Sequence, residues 1–185
     1  EIYKELYGER VRVIDISDVT HTGTITQHVR YSYSRNSLAQ RLDQIKEKLP
    51  DRPTITFKSF HEQIEGASSD MWFGNCSGYN QYTGTSINVL GTPHKNNAQY
   101  LLIGKVLGYN VDQFNREFRM QIVIWGGFRF NFNTFDNKRL QSIQLSLIES
   151  ELIQAAGRAR ALRENVEVDI YANLPLRITQ HFVND

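Results

Sequence analysis

The sequence predicts an α/β protein: a mostly parallel sheet flanked by helices, with an inserted β-hairpin and a long helix. Three observations predict it. A helix-patterned segment runs into a short, apolar, β-branched segment over residues 37–57, and the same order recurs over 138–171, the alternation that builds parallel sheets. Two alternating runs flank Gly126-Gly127, a hairpin signal. After that hairpin, Asp136 offers the cap of a long helix that leads to the closing strand.

Taken in order, Val11-Arg-Val-Ile-Asp-Ile16 reads as a short strand and Ile25 to Tyr33 alternates well enough for another. Ser34 to Ser37 offers N-cap residues for a helix over Ser37 to Leu49, with Leu38, Leu42, Ile45 and Leu49 on one face. Pro50-Asp51-Arg52-Pro53 stops it, Thr54 to Phe57 is a brief strand, and Lys58-Ser59 leave it as a loop. Met71 to Asn80 is irregular and rich in Gly and Asn. Ser86 to Leu90 then forms a strand ending at Gly91-Thr92-Pro93-His94. A helix is expected over Asn97 to Leu107, with Gly108 as its stop. Met120–Trp125 and Phe128–Asn133 form the hairpin, with Phe128, Phe130 and Phe132 turned to the core on one face. Asp136 caps a helix from Lys138 to Leu162, and Val166 to Tyr171 closes the sheet.

The 185 residues, 40% of them apolar, suffice for one domain with a full core, and no linker or repeat divides them. A balance of 21 basic against 20 acidic residues excludes a strongly basic nucleic-acid-coating protein but not a local basic site. One cysteine, Cys76, can form no internal disulfide, which points to a reducing, cytoplasmic setting and a packing role for the thiol. No apolar run approaches the ~20 residues of a membrane span. The chain begins at Glu1 without Met, so a piece of a longer protein is expected. Without a Cys/His cluster, no metal site is expected around His94.

The densest chemistry lies at Gln154-Ala155-Ala156-Gly157-Arg158-Ala159-Arg160-Ala161-Leu162-Arg163. On a helix, Gln154 and Arg158 share a face, and Gly157 between them admits a close neighbour. The same residues suit a surface helix whose terminal arginines favour its dipole. Gln154-x-x-Gly157-Arg158 resembles motif VI of superfamily 2 helicases. Two further segments fall in the order expected of that family's second RecA-like domain. Lys58-Ser59, after helix and strand, is similar in position to motif IV. Phe73-Gly-Asn-Cys-Ser-Gly-Tyr-Asn80, the strand to Leu90 and Gly91-Thr92-Pro93 resemble motif V. With Val168 to Pro175 after motif VI, the resemblance spans residues 25–175, and it is best to helicases of phages, plasmids and integrated elements.

The resemblance implies a RecA-like (P-loop NTPase-like) fold and the C-terminal motor lobe of an ATP-dependent helicase or translocase on DNA, with RNA as the other track. Arg158 becomes the arginine finger that complements charge on a transferring phosphoryl group. Gln154, Gly157, Gly78 and Asn80 join the nucleotide site, Gly78 through an unusual backbone geometry. Asn80 stands where many relatives carry Asp, leaving ribose contact, water contact or turn formation open. The family's second arginine falls at Ala161 here, so Arg160 and Arg163 are the replacements. Either serves only if the helix ends or bends near Arg160; otherwise they form salt bridges or touch nucleic acid. Lys58, Ser59, Thr92 and His94, just after strands, are expected to hold the nucleic-acid backbone. Trp125 at the hairpin turn is a candidate stacking or wedge residue.

No phosphate-loop motif Gly-x-x-x-x-Gly-Lys-Ser/Thr and no Asp-Glu-x-x occurs. ATP and Mg²⁺ would be held mainly by a separate N-terminal RecA-like lobe, the chief partner, and the chain alone should be inactive. The other readings are a non-catalytic nucleic-acid-binding or regulatory domain descended from such a fold, and a different phosphate-binding α/β enzyme.

Overall fold

The computed structural model describes residues 8–10, 12 and 20–184. The strand expected at Val11–Ile16 lies outside these, Arg12 apart. The chain falls into two compact units, one of residues 94–148 and one formed by the flanking segments 20–93 and 149–184. The first thus interrupts the second in chain order, without the Pro- or Gly-rich linker that would announce such an interruption.

The larger unit is an α/β sheet of five strands: β1 (Thr24–His28), β2 (Thr54–Ile55), β3 (Ile87–Leu90), β6 (Glu167–Tyr171) and β7 (His181–Val183). Their order is β2-β3-β6-β1-β7, and all four pairings are parallel. The register sorts the side chains. Ile25, Val168 and Ile87 form one buried row, and Gln27, Ile170 and Val89 the next on the same face. Buried aliphatic residues at both rows explain why these strands read as apolar runs. On the other face, helix α1 (Arg35–Lys46) lays Leu38, Leu42 and Ile45 against Tyr33, Phe57, Phe60, Leu90 and Tyr171. Full burial of each such aliphatic side chain contributes about 1.5–3 kcal/mol.

Several boundaries differ from expectation for local reasons. β1 stops at His28 instead of reaching Tyr33, whose φ of 48° breaks any extended run. The helix begins at Arg35 because Ser34 is its N-cap, accepting from the Ser37 amide at 3.4 Å. Lys58-Ser59 open a 3-10 turn, Lys58–Gln63, rather than a free loop. β7 carries no apolar alternation and gave no signal in the sequence; it docks through backbone pairing with β1.

Gln27 is the polar exception in the buried rows. Its Nε2 donates to the carbonyls of Ala172 (2.9 Å) and Leu174 (2.7 Å). Its Oε1 accepts from the Leu176 amide (3.0 Å) and the Thr179 hydroxyl (2.9 Å). The side chain therefore fastens the segment after β6 to β1. On the α1 face, Asp169 accepts from Arg52 at 2.9 Å and sits 3.2 Å from His28 Nε2; Arg52 also pairs with Glu167.

The smaller unit comprises α2 (Asn97–Val106), the hairpin β4 (Phe118–Trp125) and β5 (Phe128–Phe135), and the first turns of α3 (Lys138–Ala156). Asn96 and Gln99 form a reciprocal capping box at the start of α2. Gly126 and Gly127 both have positive φ, 59° and 90°, the two-residue turn that matches strand twist. Tyr100, Phe135, Leu140 and Ile143 make the core. Phe132 is fully buried, whereas Phe128 and Phe130 are half-buried, and the hairpin's other face leaves Met120, Ile122 and Ile124 exposed. The cap of α3 is Asn137, not Asp136. Asn137 Oδ1 accepts from the amides of Arg139 and Leu140, while Asp136 is drawn into an ion pair with Arg119. α3 ends at Ala156, six residues before the expected Leu162, where Gly157–Ala159 tighten into a 3-10 turn and Arg160 turns left-handed at φ 59°.

Candidate functional site

The early end of α3 creates the arginine site. Within the sheet unit, the last turns of α3 run alongside the glycine- and asparagine-rich loop that leads from β2 to β3. The contacts follow both chains in step. Glu151 accepts from the Gly74 amide (2.8 Å), Gln154 donates to Ser77 Oγ (2.9 Å), and Ala159 accepts from the Gly84 amide (3.2 Å). Gly74, Gly78 and Gly84 hold φ of 88°, 82° and 73°, conformations that Cβ-bearing residues adopt at a cost.

Two guanidiniums are fixed in this clasp. Arg158 donates from Nε to the Gln154 carbonyl (3.1 Å) and from Nη1 to the Tyr79 carbonyl (2.8 Å). Arg160, swung out by its left-handed backbone, donates from Nη2 to Asn80 Oδ1 (3.0 Å) and from Nε to Thr83 Oγ1 (3.2 Å). All four acceptors are neutral. Among the described residues neither arginine has an ion-pair partner, whereas Arg52, Arg116 and Arg119 all do. A guanidinium held on neutral acceptors presents its donors in a fixed plane, which suits it to an anion.

The structure thus brings Gln154, Gly157, Arg158, Arg160, Gly78 and Asn80 together. Helical backbone stops just before Arg160, α3 at Ala156 and the 3-10 turn at Ala159, which is the condition for that residue to share the site. Arg163 lies exposed on the turn after it, its amide bonded to the Arg160 carbonyl. At Gly157 no described residue stands within 4 Å of where a Cβ would lie, so no neighbouring backbone fills the approach that glycine leaves. Asn80 serves the turn and the arginine at once, its carbonyl accepting from the Thr83 amide.

Cys76 lies buried under the clasp, donating to the Trp72 carbonyl. Burial pushes its thiol up to about 11; Glu151 adds to the rise and Arg158 opposes it. A protonated, buried thiol is a poor nucleophile. We expect iodoacetamide to leave folded protein unlabelled at pH 8 and to modify Cys76 only as denaturant opens the fold. Stoichiometric labelling in native buffer would contradict this placement.

The residues expected to hold nucleic acid are not gathered with the arginines. The arginine clasp precedes β3 and β6 and so lies at the amino edge of the parallel sheet. Lys58, Ser59 and Thr92 follow β2 and β3, at the carboxyl edge. Lys58 and Ser59 are exposed and line a shallow cleft with Arg35 and His61. Thr92 requires a correction. It is fully buried, its hydroxyl lying 2.6 Å from the Ser32 carbonyl and 2.9 Å from Asn173 Oδ1, so it ties strand ends together. His94 requires another. It belongs to the smaller unit, stacked on Phe132 with Gln144 Nε2 3.2 Å from its Nδ1.

Burial lowers the pKa of His94 to about 4, so it presents no cation to a phosphate at neutral pH. Because the unfolded chain binds this proton near pH 6.5 and the folded one does not, the smaller unit should lose stability as pH falls from 6.5 towards 4. His94→Leu should flatten that slope in the urea midpoint measured across the window; an unchanged slope would show that other groups cause it.

Sequence reasoning missed a set of carboxyl-edge residues. Arg30 and Arg41 both sit over the Tyr31 ring, 5.2 and 4.8 Å from its centroid. Arg35 covers Phe57 at 5.1 Å, and Lys58 covers Trp72 at 4.7 Å. The signal was present in the alternation Arg30-Tyr31-Ser32-Tyr33, which also reads as a strand. No protein-family model, curated protein or solved structure matches the chain. Among the described residues there is no group of His, Cys, Asp or Glu able to hold a metal ion, and no helix long and apolar enough to cross a membrane.

Proposed function

We propose that this chain is the second RecA-like lobe of an ATP-dependent nucleic-acid helicase or translocase, and that Arg158 reaches a nucleotide phosphate held mainly by a partner lobe. One observation carries the reading. Arg158 and Arg160 are fixed on neutral acceptors of adjacent residues, Tyr79 and Asn80, neither forms an ion pair among the described residues, and no described residue stands within 4 Å of where a Gly157 Cβ would lie. A guanidinium held in place before the anion arrives needs little reorganisation to stabilise transition-state charge. Gln154 and Asn80 act as positioning residues, the first by anchoring the loop at Ser77 and the second by holding Arg160. ATP and Mg²⁺ enter only with the other lobe, which supplies the phosphate cradle and metal ligands. The sheet then separates two tasks, nucleotide at its amino edge and nucleic acid at its carboxyl edge.

The alternative, a non-catalytic binding domain, draws on the two carbonyls already engaging Arg158, which would need to be exchanged for a phosphate. Nucleic-acid-stimulated ATP hydrolysis by the full-length protein, with and without Arg158→Ala, separates the two. Absence of hydrolysis in the wild type favours the binding domain.

A further inference from the structure

Among the described residues only Tyr33 and Arg160 hold positive φ without being glycine. A residue with a side chain keeps that backbone only where its surroundings hold it. Around Arg160 both flanking carbonyls are held by glycine amides from distant parts of the chain. Gly84 donates to the Ala159 carbonyl at 3.2 Å, and Gly23 to the Ala161 carbonyl at 2.7 Å. The segment entering β1 continues the attachment. Thr22 Oγ1 donates to the Leu162 carbonyl (3.2 Å), and the Thr24 amide to the Val166 carbonyl (2.8 Å).

Gly23 is buried and its φ lies outside the left-handed region, so what it supplies is room. A Cβ there would fall 2.7 Å from the Glu164 carbonyl oxygen and 2.9 Å from the Val166 amide nitrogen, with the Val166 oxygen closer still. These are backbone atoms, which cannot swing aside as the end of a side chain can. A side chain at position 23 therefore displaces the turn 161–166 and the backbone that aims Arg160. On a continuing helix Arg160 would stand roughly 200° round from Arg158, on another face. Its left-handed turn is what brings it to Asn80 and Thr83.

We propose that Gly23 is a positioning residue for the arginine site: by admitting the turn 161–166 against the start of β1, it holds Arg160 left-handed with its guanidinium on Asn80 and Thr83. Gly84 secures the other side of the same residue. The role in hydrolysis rests on the reading that these arginines meet a nucleotide phosphate. It extends the site to a residue ahead of the span 25–175 that resembles a helicase. Arg158 does not share the dependence, because its acceptors are the Gln154 carbonyl of its own helix and the Tyr79 carbonyl. It therefore serves as an internal control.

Solvent exchange of the arginine Nε protons, followed by NMR on the 185-residue chain, tests the positioning without any nucleotide. Both Nε–H groups are hydrogen-bonded, Arg158 to the Gln154 carbonyl and Arg160 to Thr83 Oγ1. Gly23→Ala should speed exchange at Arg160 by about fivefold or more, the loss of one hydrogen bond, and leave Arg158 unchanged. Thr22→Val, at an exposed position, should act in the same direction and carries the test if Gly23→Ala does not fold. Exchange that rises equally at both arginines, or at neither, would overturn the proposal. In the full-length protein, Gly23→Ala should lower the kcat of ATP hydrolysis by about 10²-fold, the scale of a displacement of about 1 Å. With Arg160 already replaced by alanine, the same substitution should be silent. An equal loss in both backgrounds would reduce Gly23 to a structural residue and spare the helicase reading. A wild type that hydrolyses no ATP would remove that reading, while exchange altered at Arg160 alone would still establish what Gly23 holds.

Discussion

Arg158→Ala in the full-length protein should lower nucleic-acid-stimulated ATP hydrolysis by about 10³-fold or more, the scale on which arginine fingers act. The loss should fall on kcat, with the KM for ATP changed far less. The guanidinium acts on charge that grows in the transition state, while ground-state nucleotide is gripped elsewhere. Arg158→Lys should recover little, because an ammonium cannot hold the Tyr79 carbonyl with one arm and offer a second donor in a fixed plane. Unchanged single-strand binding and an unchanged urea midpoint would locate the defect in chemistry. Hydrolysis within about threefold of wild type would remove Arg158 from the reaction.

Gln27→Leu should destabilise the sheet unit by about 4 kcal/mol. The replacement fits the volume but strands two carbonyls, an amide and a hydroxyl in a buried place. Each unsatisfied group costs about 1–3 kcal/mol, and they relax together rather than additively. Such a loss is a large share of a typical domain's 5–15 kcal/mol. Amide exchange should then accelerate first over residues 172–183, the segment that Gln27 fastens. A shift in urea midpoint worth under about 1 kcal/mol would show that water replaces the side chain's bonds.

The parts of the molecule visible in the sequence are those with a period or a turn chemistry of their own. Leu38, Leu42 and Ile45 announce α1, and Gly126-Gly127 the hairpin, because helical spacing and positive φ leave direct marks. β7 escaped because an edge strand held by backbone pairing needs no apolar alternation. The arginine motif was legible as a motif, yet its partners were not. That Arg160 would swing to Asn80 depends on a single left-handed residue after Gly157, and no pattern in the chain encodes it. Thr92 and His94 were misplaced for a common reason. A polar residue following a strand looks the same whether its partner is water, a ligand or a buried carbonyl.

The strand order has a consequence for how the protein is made. β1 ends at His28, but both its neighbours, β6 and β7, follow only after Glu167. Of this sheet's pairings, only the short β2–β3 pair joins strands that both precede β6. Closing so wide a separation is entropically slow, and an unpaired apolar strand invites wrong partners meanwhile. On the ribosome, β1 must therefore wait until β6 and β7 have emerged, so chaperone demand for this sheet should persist through synthesis of the intervening segment and drop once residues 167–183 have cleared the exit tunnel.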